Sequence, residues 1–299
     1  VRETARVSIA RSAAILLVLA LTGVDAAAFT VRDMRGHEIV LAGPPQRIVS
    51  LVPSATEMIY ALGGEDRLVG RTDFCDYPAA TRAKTSVGGM VNPSLETMVA
   101  LRPDLVIVTD AGNRTETFQQ LMRLGIPVYQ VGADRVADVK EVARRLGVLT
   151  GREAAAIPLM EAIDRRVAAV REAVKPYGRP KVLYVLWPDP LIVPGRSVLV
   201  TELIGIAGGE SITARDSEEY PRYSLEAAVA KGPEVIVLAN HGSRSGPIAL
   251  DRWKRLASLP AIKTGRIHSV DGNLMHRYGP RVLDGLDQLA RAIHPEAFR

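Results

Sequence analysis

Nineteen residues of this chain recur once, 130 positions further on and without a gap. Ser94-Leu95-Glu96 continues through Val99-Ala100 and Pro103 into the apolar run Leu105–Val108 and ends at Gly112. Ser224-Leu225-Glu226 continues through Val229-Ala230 and Pro233 into Val235–Leu238 and ends at Gly242. A unit spaced this widely and present only twice implies two similar lobes, not a solenoid. It also sets one glutamate at the same point of each lobe, in the first turn of a helix that the preceding serine is expected to cap. At 299 residues the chain has room for two such domains.

Strands and helices alternate on both sides of the middle. Phe29 to Pro45 reads as a hairpin around Arg35-Gly36. Arg47–Val52 is a buried strand, and Ser54 with Glu57 three residues on fits a capping box that opens a helix ended by Gly63-Gly64. Leu68–Gly70, Leu105–Val108 and Val128–Val131 read as strands, with helices over Ser94–Leu101, Thr115–Leu124 and Ala137–Leu149. The second half gives strands at Lys181–Leu186, Val235–Leu238 and Ile267–Val270. Its helices are expected at Val198–Ala207, from Ser224, at Leu250–Leu256 and at Arg281–Ile293. Short apolar strands between helices imply an α/β fold with mainly parallel sheets covered on both faces. Between the halves, Glu153 to Lys175 is one long helical segment, with Ile163, Val167 and Val170 at helical spacing. By itself it reads equally as a linker or as the last helix of the first lobe.

Composition narrows the function. The formal charge of +5 is spread as scattered arginines with no basic run, which argues against a nucleic-acid surface. Arg2, Arg6 and Arg11, the apolar stretch Ala13–Val24 and Asp25-Ala26-Ala27-Ala28 have the layout of a secretory signal, with cleavage expected after Ala28. No cysteine stands at that point, so a lipid anchor is not expected. The one cysteine, Cys75, has no internal partner and is expected to be a small apolar filler. The five histidines show no zinc-type spacing, and His276 reads as a surface loop residue.

Arg47-Ile48-Val49-Ser50-Leu51-Val52-Pro53-Ser54-Ala55-Thr56-Glu57, Asp66-Arg67-Leu68-Val69-Gly70, Asp76-Tyr77-Pro78, Val87-Gly88-Gly89 and Leu101-Arg102-Pro103-Asp104-Leu105-Val106 resemble the periplasmic substrate-binding proteins of ABC transporters. The class is the one that carries cobalamin, haem and ferric siderophores, and the resemblance covers essentially all of the chain after the signal. Thr72-Asp73-Phe74-Cys75-Asp76-Tyr77-Pro78, Asn92-Pro93-Ser94-Leu95-Glu96 and Trp187-Pro188-Asp189-Pro190 are similar to the vitamin B12-binding branch.

The resemblance implies an N-terminal lobe over 29–152, a linker helix over 153–176, a C-terminal lobe over 177–299, little closure on binding, and a ligand cleft outside the carboxyl ends of the strands. It implies an exported, monomeric periplasmic carrier that hands a corrinoid, cobalamin or cobinamide, to the permease subunits of an ABC importer with its ATPase. Haem or a ferric siderophore is the alternative ligand. By motif match, Glu96 and Glu226 dock onto permease arginines, while Tyr77, Trp187, Tyr220 and Arg277 line the cleft. Without a partner, a carboxylate in a first helical turn still gains about 0.3–1 kcal/mol from the helix dipole, so a duplicated domain could repeat it for that reason alone. Gly88-Gly89-Met90 stands where some B12 binders carry a tryptophan, which implies a thinner platform and favours a smaller corrinoid. In a haem carrier, Tyr77 would be the iron ligand, with His276 as the alternative. No resident metal or catalytic cofactor is expected.

An enzyme is the remote alternative, as an exported hydrolase. There is no phosphate-binding loop and no H-E-x-x-H helix. Gly242-Ser243-Arg244-Ser245-Gly246 departs from a nucleophile elbow by an arginine at the serine position.

Overall fold

The computed structural model describes residues 28–242 and 253–299. Residues 1–27 of the signal expected over 1–28 and most of the Gly242–Gly246 stretch lie outside them, as does the start of the helix expected at Leu250–Leu256. The described chain opens with an antiparallel hairpin, β1 (Phe29–Arg32) and β2 (Glu38–Leu41). Its turn is organised by Asp33, whose buried carboxylate accepts the backbone N–H groups of Arg35 and His37.

The first lobe is a parallel sheet in the order β5-β4-β3-β6-β7, built from β3 (Ile48–Ser50), β4 (Leu68–Arg71), β5 (Thr85–Ser86), β6 (Leu105–Val108) and β7 (Val128–Gln130). Helices α1 (Pro53–Ala61), α2 (Leu95–Ala100), α3 (Thr115–Arg123) and α4 (Val136–Thr150) connect and cover it. The 22-residue α5 (Glu153–Val174) follows, about 33 Å long at helical rise. Pro158 falls in its second turn. The second lobe is a parallel sheet in the order β11-β8-β12-β13. It contains β8 (Lys181–Val185), the ribbon β9 (Trp187–Pro188) with β10 (Leu191–Ile192), α6 (Leu199–Ile206), β11 (Glu210–Ser211), α7 (Leu225–Ala230) and β12 (Val235–Asn240). The chain closes with α8 (Pro260–Lys263), β13 (Ile267–Asp271), α9 (Gly272–His276) and α10 (Val282–Ile293).

The repeat is structural as well as textual. Ser94 Oγ accepts Thr97 N–H at 3.2 Å, and Ser224 Oγ accepts Ala227 N–H at 3.0 Å. Asp104 accepts backbone N–H groups of Gln46 and Arg47 ahead of β3, and Glu234 accepts that of Lys181 at the start of β8. The turn after each helix needs a left-handed residue: Arg102 supplies it at φ 46° and Gly232 at φ 60°.

Strand residues alternate between two cores because both sheet faces are covered. Ile48, Leu105, Ile107, Val182, Tyr184, Val235 and Val237 point into one continuous core that also takes in Ile163, Val167 and Val170 of α5 and so joins the lobes. Val49, Val106 and Val108 face a separate cluster with Met98 of α2. Leu183, Ile236 and Leu238 face another with Ala228 of α7. Helices α2 and α7 therefore cover the sheet faces turned away from the shared core. Lys140–Asp164 ties α5 to α4 at 2.6 Å, and Arg166 pairs with Asp284 and Asp287 of α10. The connector α5 is thus held on both sides.

Candidate functional site

The carboxyl ends of the parallel strands converge on a cavity of about 640 Å³ between the lobes. The first lobe contributes Val52–Ser54 after β3, Thr109–Ala111 after β6 and Val131–Asp134 after β7. Strands β3 and β6 are neighbours from which the chain departs in opposite directions, the usual position for a ligand crevice in an open α/β sheet. The second lobe contributes Leu186 after β8, Val198, Glu219 and Tyr220, and Asn273 to Tyr278 around the end of α9, omitting Leu274 and Met275.

Arg277, on the cavity wall, belongs to an ion cluster that crosses between lobes. Glu57 of α1 is buried, its side chain 2% exposed, and it binds Arg281 through two bonds of 2.8 and 2.6 Å. Arg277 reaches the same carboxylate at 3.4 Å and also pairs with Asp76. The Arg277 hydrogen bond holds the Asp76 carboxyl below the usual carboxylate range. Arg281 lies 3.7 Å from the centre of the Tyr77 ring, a stacked cation–π arrangement. A second crossing bond runs from Val136 N–H, at the start of α4, to Glu202 of α6 at 2.7 Å. Here the sequence reading needs correction. Glu57 does not close a capping box: α1 starts at Pro53 after Val52, with no side-chain cap. Its carboxylate is taken by arginines more than 200 residues away.

The aromatic residues distribute unevenly. Tyr220 lines the cavity, and its hydroxyl is bonded to that of Tyr278. Burial raises the pKa of both phenols. Tyr77 is 46% exposed and lies beside the cavity, stacked under Arg281. Trp187 also stands outside its walls, donating Nε1–H to the Asp189 carbonyl at 3.0 Å near the His241 ring. Phe74 and Met90, which were not singled out as ligand residues, line it, as do Arg35, Asp110, Asp134 and Glu219. The position of the three acids, just past strand ends or just before Tyr220, was the available signal. Cys75 is buried, with its sulfur 3.3 Å from Thr72 Oγ1.

Gly195 makes the Tyr220 wall possible. Its N–H bonds the Glu219 carbonyl at 2.7 Å, and a Cβ added there would overlap the Glu218 carbonyl oxygen. Gly195→Ala is expected to displace Glu218–Tyr220 and to cost about 3 kcal/mol or more. Chemical denaturation checks the cost; a loss below about 1 kcal/mol would contradict the tight approach.

His276 is not a surface residue. It is half-buried at the end of α9, on the cavity wall, with Nε2 3.0 Å from the Tyr184 hydroxyl and its ring 5.3 Å from that of His241. Burial pushes its pKa down to about 3. The unfolded chain takes up this proton near pH 6.5. With the folded value below the unfolded one, its contribution to stability is complete above about pH 6.5 and is lost progressively as pH falls toward 3. His276→Gln is expected to flatten the stability–pH curve across that interval, as measured by urea unfolding at successive pH values. An unchanged slope would contradict a neutral imidazole in the folded state.

Glu96 and Glu226 are both exposed, in the first turns of α2 and α7, and neither has a hydrogen bond or ion pair among the described residues. They occupy equivalent points on the outer helices of the two lobes, away from the cavity walls.

A family model for periplasmic binding proteins matches residues 48–274. The chain belongs to this family. Members bind substrates for transport and are not a class of enzyme. An uncharacterized ABC transporter substrate-binding lipoprotein of Bacillus subtilis, YvrC, is 28% identical over 90% of this chain and 87% of its own. Among solved structures, the periplasmic vitamin B12-binding protein BtuF of Vibrio cholerae superposes with a TM-score of 0.74 at 25% identity, covering 86% of this chain and 99% of that one. The periplasmic heme-binding protein RhuT of Roseiflexus sp. RS-1 superposes equally well, with a TM-score of 0.74 at 28% identity over 84% of this chain and 99% of that one. The family match and fold thus define a periplasmic binding protein of the B12- and heme-binding class. No described helix is long and apolar enough to cross a membrane.

Proposed function

We propose that this protein captures a corrinoid in the cavity between its lobes, in the periplasm, and delivers it to an ABC importer. The supporting observation is the charge of the cleft. Asp134 and Glu219 line it with no side-chain partner among the described residues, whereas both lining arginines are already paired, Arg35 with Asp110 and Arg277 with Asp76 and Glu57. A corrin edge presents amide N–H donors, which carboxylates accept. A haem presents propionates, which need arginines with free donors and are repelled by unpaired acids. The volume lies within the ordinary range for small-molecule sites, and Pro53, Val131, Leu186 and Val198 offer apolar surface for a flat macrocycle.

In this reading Tyr220 is the aromatic wall and Arg277 a contact held in place by its acidic partners. Tyr77 and Trp187 reach only those parts of a ligand that extend beyond the cavity. Glu96 and Glu226 dock the loaded carrier on the two halves of a permease. The resemblance to B12 binders supports the corrinoid, and the equal superposition on a heme-binding protein keeps haem as the competing ligand.

Isothermal titration of residues 29–299 with dicyanocobinamide, cyanocobalamin and haemin tests the ligand. Saturable one-to-one binding of a corrinoid, with haemin weak, is expected. Haemin binding with a tyrosinate-type absorption band and no corrinoid binding would overturn the reading in favour of haem.

A further inference from the structure

The ion cluster around Arg277 holds more acid than packing needs. Glu57 alone satisfies Arg281 in a two-bond pair and reaches Arg277 as well. Asp76, with its side chain half exposed, adds a second carboxylate to Arg277, on Nη1 and Nη2, and Asn273 Oδ1 takes Nη2 again at 3.2 Å. Both terminal nitrogens of the one second-lobe arginine on the cavity wall are therefore engaged. Arg35, the lining arginine of the first lobe, is paired through Nη2 with Asp110.

We propose that Asp76 is a selectivity residue: by occupying Arg277 it denies the cavity a free guanidinium and so turns away tetrapyrroles that carry carboxylates. The inference rests on the corrinoid reading above and deepens it. Discrimination between two ligands can come from penalising the wrong one as much as from favouring the right one. An incoming propionate has to displace Asp76 from Arg277 while facing Asp134 and Glu219, a like-charge encounter that opposes it. With Asp76 removed, Arg277 and Arg281 share the single carboxylate of Glu57, and the wall changes from neutral to positive. The low pKa of the Asp76 carboxyl is consistent with an ion pair that persists under mildly acidic conditions.

The test compares wild type, Asp76→Asn, Asp76→Ser and Asp76→Asn combined with Arg277→Gln, titrated with haemin by absorbance. The serine variant covers the case in which asparagine preserves the contact with Arg277. The expected result is that haemin affinity rises about tenfold or more on loss of the carboxylate, that the gain shrinks with added salt, and that the double variant loses it. The proposal is overturned if both single variants bind haemin within about twofold of wild type, or if the double variant keeps the gain. Dicyanocobinamide titrated in parallel keeps the two readings separate. Wild type that fails to bind it sinks the corrinoid reading, while the haemin comparison still decides the role of Asp76.

Discussion

Glu57→Ala is expected to cost about 2–4 kcal/mol of unfolding free energy, the largest stability effect of any single charge in the cluster around Arg277. Removing one partner of a fully buried pair typically costs about 3–5 kcal/mol, because the remaining charge is left without compensation. Here Glu57 is 2% exposed, but Arg277 and Arg281 keep 16% and 22% of their side-chain surface in contact with water. That contact trims the penalty without abolishing it. The cost falls on the interface between lobes, since the carboxylate is on α1 and both arginines follow α9. Loss of the pair is therefore expected to loosen the cleft before either sheet melts. Urea unfolding of Glu57→Ala beside Glu57→Gln measures it. A loss under about 1 kcal/mol would mean that the arginines find water or Asp76 at little cost, and that the cluster is not a tie between lobes.

The second large effect belongs to function and should leave the fold nearly untouched. Glu96→Ala with Glu226→Ala is expected to weaken docking on the importer by about a hundredfold or more and to reduce ligand uptake to background. Truncating one member of a close interfacial charge pair costs about 2–5 kcal/mol, and two sites are lost together. Both carboxylates are exposed, and neither has a partner among the described residues, so the only intramolecular loss is the helix-dipole term of about 0.3–1 kcal/mol each. Ligand affinity is expected to stay at its wild-type value, because the two helices lie away from the cavity walls. Transport into vesicles, measured beside ligand titration, separates the two roles. Full uptake by the double variant would return both glutamates to local helix stabilisation.

The fold was legible because its signals are local. The 130-residue repeat, the short apolar strands and the serine caps of α2 and α7 are all patterns within a few turns of chain, and they match the two parallel sheets. The site was legible in its position, through the loops after the strands, but less so in its chemistry. Ser54 and Glu57 have capping-box spacing, yet burial against a second lobe captured the carboxylate for arginines near the chain end. No local pattern carries a pairing of that span. His276 misled for the same reason: a lone histidine gives no sign in sequence that Tyr184 and His241 will enclose it. Asp110, Asp134 and Glu219 were overlooked beside the rarer aromatics, although their positions at strand ends or just before Tyr220 put them on the cavity wall.

The central claim, a corrinoid seated between the lobes, is tested most directly by a crystal structure of the protein grown with dicyanocobinamide, using the anomalous scattering of cobalt. The account predicts one cobalt peak inside the cavity bounded by Ser54, Thr109, Tyr220 and Tyr278, with the Glu57–Arg281 pair intact. A peak elsewhere on the molecule, or an empty cavity in crystals containing excess cobinamide, would contradict it.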